Sequence, residues 1–407
     1  MSACDSGGAA RYTRAMLSRR LLLLGPSGAL AAAALPAAAA GEVAGAIVLM
    51  AGRDGFNGAV PGPVIRARRG GEITVRLVNG LDEPLALCWH GVRQAGAADS
   101  GAPVAPGAEA ALRFTVPDAG TFFYRAVPRS RQEAGLYGAL VVAEPSPPAV
   151  DQDRVLVFDS RADGGARRWN VDGAVASDVA VAANERLRLR FVNASAVHAL
   201  QARIGGHRVT VMALDGEPAE PFASRDGAVT LAPGNRADVF VDATLAPGSV
   251  APVSFTASGG GEPPRLRLVY GPAPARAAPP GPPGPLPANP LPERINLAGA
   301  VRAALILGAA PPPDASVLFT AARGRTVVLA VENRGALAHR VYLGGHHCRV
   351  LDRLDDGWKP YWLDTLAVAP GETVRVAFVA DVAGRFAIES GAISGGGAAA
   401  EYRFEVR

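Results

Sequence analysis

The sequence predicts an all-β protein built from three consecutive Greek-key β-sandwich domains. Glycine and proline are abundant, with 48 and 34 residues in a chain of 407, and helical periodicity is scarce. Short alternating segments bounded by turn residues recur instead, as expected for strands that bury one face. Two sheets packed face to face require this alternation, because each strand contributes one side to a shared core about 10 Å thick.

A pair of short signatures repeats three times along the chain. Each copy begins with an alternating strand that ends in asparagine, a residue whose tolerance of left-handed backbone suits a turn. Each copy continues, after a spacer, into an Ala-Pro-Gly turn and another alternating strand. The strands are Ile73–Asn79, Leu187–Asn193 and Thr326–Asn333, and the turns begin at Val104, Leu231 and Val368. The repetition predicts three homologous sandwiches.

The repeats also set the expected domain boundaries. We place the first domain at residues 41–145, the second at 146–271 and the third at 295–407. The intervening residues 272–294 are rich in proline and lack strand alternation, which favours extended polyproline geometry and a semi-rigid linker. A proline-rich ligand for an SH3-type domain is the alternative interpretation of this stretch.

Residues 1–40 have the three zones of an export signal. The adjacent Arg19 and Arg20 precede an apolar run that ends at Leu35, and Ala38, Ala39 and Ala40 stand directly before Gly41. The paired arginines predict the twin-arginine route, which carries folded proteins. We therefore expect the twin-arginine export machinery as a partner and a periplasmic location. A membrane anchor is the alternative, but glycines and a proline interrupt the run, which is shorter than the ~20 apolar residues of a spanning helix. No stable membrane anchor is expected after cleavage.

Charge and cysteine content exclude several classes of protein. Loss of residues 1–40 removes four of the 41 basic residues and one of the 37 acidic ones, leaving 37 and 36, a net charge of +1. This balance gives no indication of nucleic-acid binding, and the single lysine, Lys359, beside forty arginines is more typical of coding bias than of a binding surface. Two cysteines remain, Cys88 and Cys348, which do not make a disulfide framework.

Several segments resemble multicopper oxidases of the laccase and ascorbate-oxidase type. In the second domain, Trp169–Gly173 and Val211–Gly216 are similar to the middle domain of that family. In the first domain the matching segments are Pro61–Arg66, Cys88–Gly91, Val116–Tyr124 and Gly135–Val141. The resemblance covers roughly residues 45–407. It implies that each sandwich is a cupredoxin-like domain.

The family holds one electron-accepting copper in its last domain and a three-copper cluster between its first and last domains. Ten histidines and one cysteine, arranged in four motifs, bind these metals. Copper sites need imidazole nitrogen and thiolate sulfur, so a loss of these residue types removes affinity as well as redox tuning. The resemblance therefore implies copper as cofactor only where the ligands themselves are present.

Most of the corresponding positions in this chain hold other residue types. Thr121–Tyr124 locates the second motif and Gly384–Phe386 the fourth. Ser390 stands where the family has its copper-binding cysteine. The positions of the family's ligands are Cys88, His90, Arg125, Val127, His339, Tyr342, Gly344, Glu389, Ser390, Gly391 and Gly395. Only His90 and His339 remain as weak metal candidates, and in the family they serve different copper centres. We expect no copper cofactor and no catalytic residues.

Arg125 and Glu389 occupy equivalent places in two of the repeats. Each lies nineteen residues after the proline of its Ala-Pro-Gly turn, Pro106 or Pro370. In the family these two positions face each other across the three-copper cluster. The sequence therefore predicts a charge-assisted bidentate salt bridge between the first and third domains, in place of the metal. The alternative is that both side chains point into a water-filled former cavity.

The other histidines and cysteines have simpler explanations. His198 and His207 lie in the middle domain, where the family has no such ligands, and are expected to be structural. His346, His347 and Cys348 could hold a soft or borderline metal together with His339 or Cys88, although their spacing matches no known site. Cys348 alone is expected to pack as a small apolar group. No Ser-His-Asp arrangement, glycine-rich phosphate loop or carboxylate pair at motif spacing is present in the sequence.

Two functions are compatible with these features. The first is an exported, copper-free protein that acts through its surfaces as a binding or scaffold protein for an unidentified periplasmic protein, similar in kind to the copper-free cell-division protein of this superfamily. The alternative is a divergent, laccase-like multicopper oxidase that retains residual copper binding and oxidoreductase activity.

Overall fold

The computed structural model describes residues 46–94, 102–163, 166–308, 317–352, 357–395 and 399–407. The described part contains 28 β-strands, one five-residue α-helix and one three-residue 3-10 helix, which confirms the all-β prediction. Residues 1–40, predicted as an export signal, lie outside the described residues. Within the described ranges, no helix has the length and apolar character needed to cross a membrane.

The first domain consists of two four-stranded sheets with the orders β2-β1-β4-β6 and β3-β8-β7-β5. Its strands are β1 (Ile47–Gly52), β2 (Gly55–Phe56), β3 (Ile65–Arg68), β4 (Glu72–Asn79), β5 (Ala86–His90), β6 (Glu109–Thr115), β7 (Gly120–Val127) and β8 (Tyr137–Ala143). The helix α1 (Arg129–Glu133) follows β7. Alternate residues of β4 face the core, and Val75 and Leu77 are buried there beside Trp89 and Tyr124.

The second domain has a six-stranded sheet, β10-β9-β12-β17-β14-β15, and a five-stranded sheet, β11-β19-β18-β13-β16. Its strands are β9 (Gln152–Asp163), β10 (Ala166–Val171), β11 (Ala176–Ala183), β12 (Arg186–Asn193), β13 (Leu200–Ile204), β14 (Val209–Leu214), β15 (Glu217–Ala223), β16 (Ala228–Leu231), β17 (Arg236–Asp242), β18 (Val250–Ala257) and β19 (Arg265–Pro274). A 3-10 helix, Arg225–Gly227, precedes β16. Strand β19 still pairs with β11 at Pro274, so the second sandwich extends beyond residue 271, where we expected it to end.

The third domain repeats the two-sheet arrangement, with the orders β20-β22-β26-β24 and β21-β28-β27-β23-β25. Its strands are β20 (Val301–Leu307), β21 (Val317–Ala321), β22 (Thr326–Asn333), β23 (His339–Leu343), β24 (Arg349–Val350), β25 (Thr365–Val368), β26 (Thr373–Val379), β27 (Gly384–Ala392) and β28 (Ala400–Val406). Phe378, Phe386 and Phe404 fill the space between the two sheets.

The asparagine that ends each repeated strand fixes the Ala-Pro-Gly turn of the same domain. Asn193 is fully buried, and its side-chain amide donates to the carbonyls of His198 and Leu231 while its Oδ1 accepts from the Ser195 amide. Its own carbonyl accepts from Gly234 of the turn. Asn79 and Asn333 make the corresponding bonds. Our expectation of left-handed backbone at these asparagines was wrong, because the residues with positive φ are elsewhere and the side-chain bonds explain the repeat.

The proline-rich linker lies against the first two domains. Leu286 packs with Met212 and Phe240 of the second domain. Asn289 accepts a hydrogen bond from the Ala119 amide at 2.8 Å, and its own amide donates to the Ala119 carbonyl and to Glu217. These contacts fix the linker against the surfaces of the first and second domains.

Candidate functional site

Two pairs of neighbouring strands, one pair in the first domain and one in the third, carry the predicted ligand positions. Strand β5 pairs with β7, which places Cys88 opposite Arg125. Strand β23 pairs with β27, which places Tyr342 opposite Glu389. Side chains two residues apart on a strand share a face, so Cys88 and His90 point the same way. The structure thus brings residues of the first and third domains together at one buried site.

Arg125 and Glu389 form an ion pair between the first and third domains. A single nitrogen of Arg125, Nη2, donates to Oε1 at 2.5 Å and to Oε2 at 2.6 Å, so the salt bridge forms without the fork of two donor nitrogens that we expected. The side chains are 3% and 17% exposed, so the pair is largely withdrawn from water. Burial alone would raise the pKa of Glu389, but the positive charges of Arg125 and Arg340 outweigh it and lower that pKa to about 2. Glu389 is therefore an ionised carboxylate at neutral pH.

Two further arginines lie near the same carboxylate. Arg340, on β23, donates from Nη2 to Glu389 Oε2 at 3.3 Å and is buried. Arg129, on α1, places its guanidinium against Gly391, where a Cβ would clash with it. Burial lowers the pKa of Arg129 to about 9, and the charges of Arg340 and Arg125 act in the same direction. Sequence reasoning identified neither arginine, because neither occupies a ligand position of the family.

His90 and Cys88 are both neutral in this setting. The His90 ring stacks on Tyr342 with 3.7 Å between centroids and 19° between planes, and its Nε2 lies 2.9 Å from Thr365 Oγ1. Burial lowers the pKa of His90 to about 3 and raises the pKa of Cys88 to about 11. The Tyr342 hydroxyl accepts a hydrogen bond from the Gly91 amide at 3.2 Å. Cys88 is thus a thiol rather than a thiolate at neutral pH.

His339 lies apart from that cluster, in the third domain. Its Nδ1 is 3.2 Å from the Ser390 hydroxyl on the neighbouring strand β27. The four other predicted positions, Val127, Gly344, Gly391 and Gly395, carry no polar side-chain atom. The structure therefore joins Cys88, His90, Arg125, Tyr342 and Glu389 at one site and places His339 with Ser390 at another.

A second buried polar network links the second and third domains next to His90. Arg236 donates through both terminal nitrogens to the carboxylate of Asp364, at 2.9 and 2.6 Å, and also donates to the carbonyl of Asp215. Asp215 has a positive φ and accepts from the backbone amides of Asp364 and Thr365. Sequence reasoning missed this network, since its members come from three distant segments. The Asp215-Gly216 turn was the only local signal.

His347 is held between acidic groups of two domains. Its Nδ1 is 3.7 Å from Glu217 and its Nε2 is 3.5 Å from Asp364. Burial alone would lower the pKa of His347, but the charges of Glu217 and Asp364 raise it to about 9. Together with Glu217 and Asp118, His347 forms the one cluster of at least three potential metal ligands within the described residues. Asp118 is already held by two bonds from Arg93, at 2.9 and 2.8 Å.

The metal cluster suggested by His346, His347 and Cys348 does not form. Cys348 lies in the third-domain core and donates from its thiol to the Leu363 carbonyl, as expected of a small packed residue. His346 lies between β23 and β24 and packs among Phe378, Phe386 and Phe404, whereas His347 lies against Glu217 and Asp364. The three side chains therefore have separate partners.

His198 and His207 have structural partners in the described residues. The Nδ1 of His207 donates to the Gly205 carbonyl at 2.8 Å and its Nε2 accepts from the Tyr270 hydroxyl at 2.5 Å. The Nδ1 of His198 lies 3.4 Å from the Ser394 hydroxyl of the third domain. Both contacts agree with a structural role.

Comparison with known proteins gives a consistent picture over most of the chain. Three family models described as multicopper oxidase match residues 50–147, 141–253 and 287–392. Multicopper oxidase MmcO of Mycobacterium tuberculosis is 26% identical over 80% of this chain and 77% of its own length. L-ascorbate oxidase of Nicotiana tabacum is 29% identical, but over 42% of this chain and 40% of its own length.

Solved structures of similar proteins have the same architecture. A multi-copper oxidase from Pseudomonas thermotolerans superimposes with a TM-score of 0.76 and 28% identity, over 87% of this chain and 93% of that one. Lac15 from a marine microbial metagenome gives a TM-score of 0.74 and 28% identity, over 88% and 100% of the two chains. The three β-sandwiches described above are therefore cupredoxin-like domains.

Proposed function

Because the chain belongs to the multicopper oxidase family, we propose that it is a member that has lost the copper centres and acts as a binding or scaffold protein. The observation that carries this proposal is the Arg125–Glu389 ion pair. It occupies the positions where the resemblance implies two copper ligands, and a guanidinium cannot ligate a metal cation.

The chemistry of the neighbouring side chains supports the same conclusion. Copper requires imidazole nitrogen and thiolate sulfur. The site offers one neutral imidazole, His90, and a thiol, Cys88, whose pKa is raised to about 11. Three arginines also surround the site, and their charges repel a divalent cation. The donor set thus does not fit copper, and no redox step is assigned to these residues.

The ligand chemistry of the third domain also supports the absence of an electron-accepting copper centre. His339 is paired with the hydroxyl of Ser390. A hydroxyl is a weak ligand for copper, whereas blue-copper sites rely on a cysteine thiolate with two imidazoles. Without copper centres, a folded three-domain protein can still bind a partner through its outer surface, and we propose that role.

Copper titration of the purified mature protein tests the proposal. We expect no stoichiometric copper by elemental analysis, no visible thiolate-to-copper absorption and no oxidation of a diphenol. The family's oxidase activity is the alternative function, with His90 and His339 as residual ligands. Stoichiometric copper together with turnover of a diphenol would establish that alternative and overturn the proposal.

We also propose export to the periplasm by the twin-arginine route, supported by Arg19, Arg20 and the apolar run that follows. The double variant Arg19→Lys with Arg20→Lys should retain the precursor in the cytoplasm, as measured by cell fractionation. Normal export of that variant would refute the route.

A further inference from the structure

The ion pair between the first and third domains leaves an excess of positive charge. Arg125 and Arg340 donate to the carboxylate of Glu389, and the guanidinium of Arg129 lies against Gly391, two residues further along β27; we call these three residues the arginine cluster. Glu133, which is exposed on α1, is the other carboxylate that acts on Arg129. The cluster therefore keeps one more positive charge than these two carboxylates balance.

Several donor groups of the arginine cluster are buried and donate to no atom of the described residues. They are Nε of Arg125, Nε of Arg340, and Nε and Nη2 of Arg129. A buried polar hydrogen without an acceptor costs about 1–3 kcal/mol, and more on a charged group. Native structures rarely leave such donors unsatisfied, so four in one cluster point to an acceptor that comes from outside the chain.

We propose that the arginine cluster binds a small oxyanion between the first and third domains, and this inference rests on the proposed loss of copper from the same site. Guanidinium groups present planar pairs of N–H donors that match the oxygens of carboxylate, phosphate and sulfate. Arg129 is the partly exposed member, and it brings the cluster within reach of solvent. The ligand class is an oxyanion, either a free inorganic ion or the carboxylate of a small organic acid.

Glu389 acts in this arrangement as an internal competitor for the same donors. Its two oxygens already accept from Arg125 and Arg340. Replacing Glu389 with glutamine keeps the shape of the side chain and removes its charge. An oxyanion would then face three arginines without a competing carboxylate. Binding should therefore tighten in Glu389→Gln and weaken in Arg129→Gln, two opposite responses from one site.

Isothermal titration of the metal-free mature protein provides the test. The probes are phosphate, sulfate, acetate and chloride at constant ionic strength, so that an inorganic oxyanion is distinguished from a carboxylate and both from general screening. We expect one oxyanion per chain, about tenfold or greater weakening in Arg129→Gln, and no change in the exposed control Arg66→Gln. If Arg129→Gln fails to fold, Arg129→Lys keeps the charge but loses the planar donors and should also bind more weakly.

The outcomes separate this inference from the proposed function. Three results would overturn the oxyanion site and leave the copper titration unaffected. The first is no saturable binding of phosphate, sulfate or acetate. The others are equal weakening in Arg66→Gln and Arg129→Gln, and weaker binding in Glu389→Gln. Copper binding with diphenol turnover would instead overturn the proposed function, and the metal-free titration would still report on the arginines.

Discussion

His339 and Ser390 lie on neighbouring strands of the third domain, with 3.2 Å between Nδ1 and Oγ. The family resemblance assigns a copper-binding histidine and cysteine to these two positions. Their side chains still face each other, with a hydroxyl where the family has a thiolate. Gly395, at the family's second imidazole position, lies three residues after the end of β27. On the proposed loss of copper, the third domain retains His339 at one ligand position, while Ser390 and Gly395 stand at two others.

Restoring two residues should rebuild that site. In the double variant Ser390→Cys with Gly395→His, we expect one copper(II) per chain and an intense thiolate-to-copper band in the visible spectrum, because two imidazoles and a thiolate define blue-copper sites. A Cβ at Gly395 would lie 2.8 Å from the Leu337 side chain, which is 47% exposed and free to shift, and 2.9 Å from the Cβ of Ala392, so the backbone after β27 must also adjust. Ser390→Cys alone is the control and should show no such band. A folded double variant without copper binding would show that His339 and Ser390 are not positioned as ligands.

The Arg125–Glu389 pair should contribute to stability in a non-additive way. Glu389→Ala leaves three arginines without their carboxylate, and we expect it to cost about 3–5 kcal/mol. Arg125→Ala should cost less, because Arg340 still donates to Glu389. The double variant should cost less than the two single losses together, as measured by urea unfolding. The exposed pair of Arg76 and Glu109, 3.0 Å apart, is the control and should be additive within about 0.5 kcal/mol. Additive losses for the buried pair would refute the coupling.

His347 should make stability fall at alkaline pH. Its pKa is raised to about 9 in the folded chain, above the ordinary value of 6.5, so its contribution is fully present below pH 6.5 and is lost as pH rises through 9. Burial raises the pKa of Glu217 to about 7, so that carboxyl titrates at lower pH. Between pH 7 and 9 we expect a loss of about 2 kcal/mol in urea unfolding. His347→Gln should flatten this slope, and an unchanged slope would contradict the assignment.

The buried Asn193 should contribute more to the free energy of unfolding than the exposed Asn296. Asn193→Ala removes the donor to two carbonyls and the acceptor for one amide, all buried, and should destabilise the chain by about 2 kcal/mol or more. Asn296 is exposed and accepts one bond from Ala298, so Asn296→Ala should change stability by less than about 0.5 kcal/mol. Thermal unfolding compares the two, and similar losses would refute the role of the buried asparagine.

The repeats in the sequence predicted the fold because strand alternation and turn chemistry are local properties. The same repeats also indicated the importance of Asn79, Asn193 and Asn333, but for the wrong reason. A side chain that bonds to a turn tens of residues away leaves no local pattern, so backbone preference was the only explanation available from the sequence.

The candidate site was predictable only where two repeats could be aligned. Equal spacing from the Ala-Pro-Gly turns related Arg125 to Glu389, and the two are in contact. Arg129 lies on a short helix outside the repeat, and Arg340 has no marker of its own next to His339. Their convergence depends on how the first domain packs against the third, which no local pattern encodes.

Each domain touches both of the others. Phe123 of the first domain packs with Val192 of the second, Asn235 of the second donates to Thr365 of the third, and Arg125 of the first reaches Glu389 of the third. Within the described residues, the three domains therefore contact one another pairwise, although they follow one another along an open chain. Cutting the linker would break the chain and leave the contacts of the third domain with both neighbours in place. We therefore expect two fragments, divided within the linker and made separately, to associate.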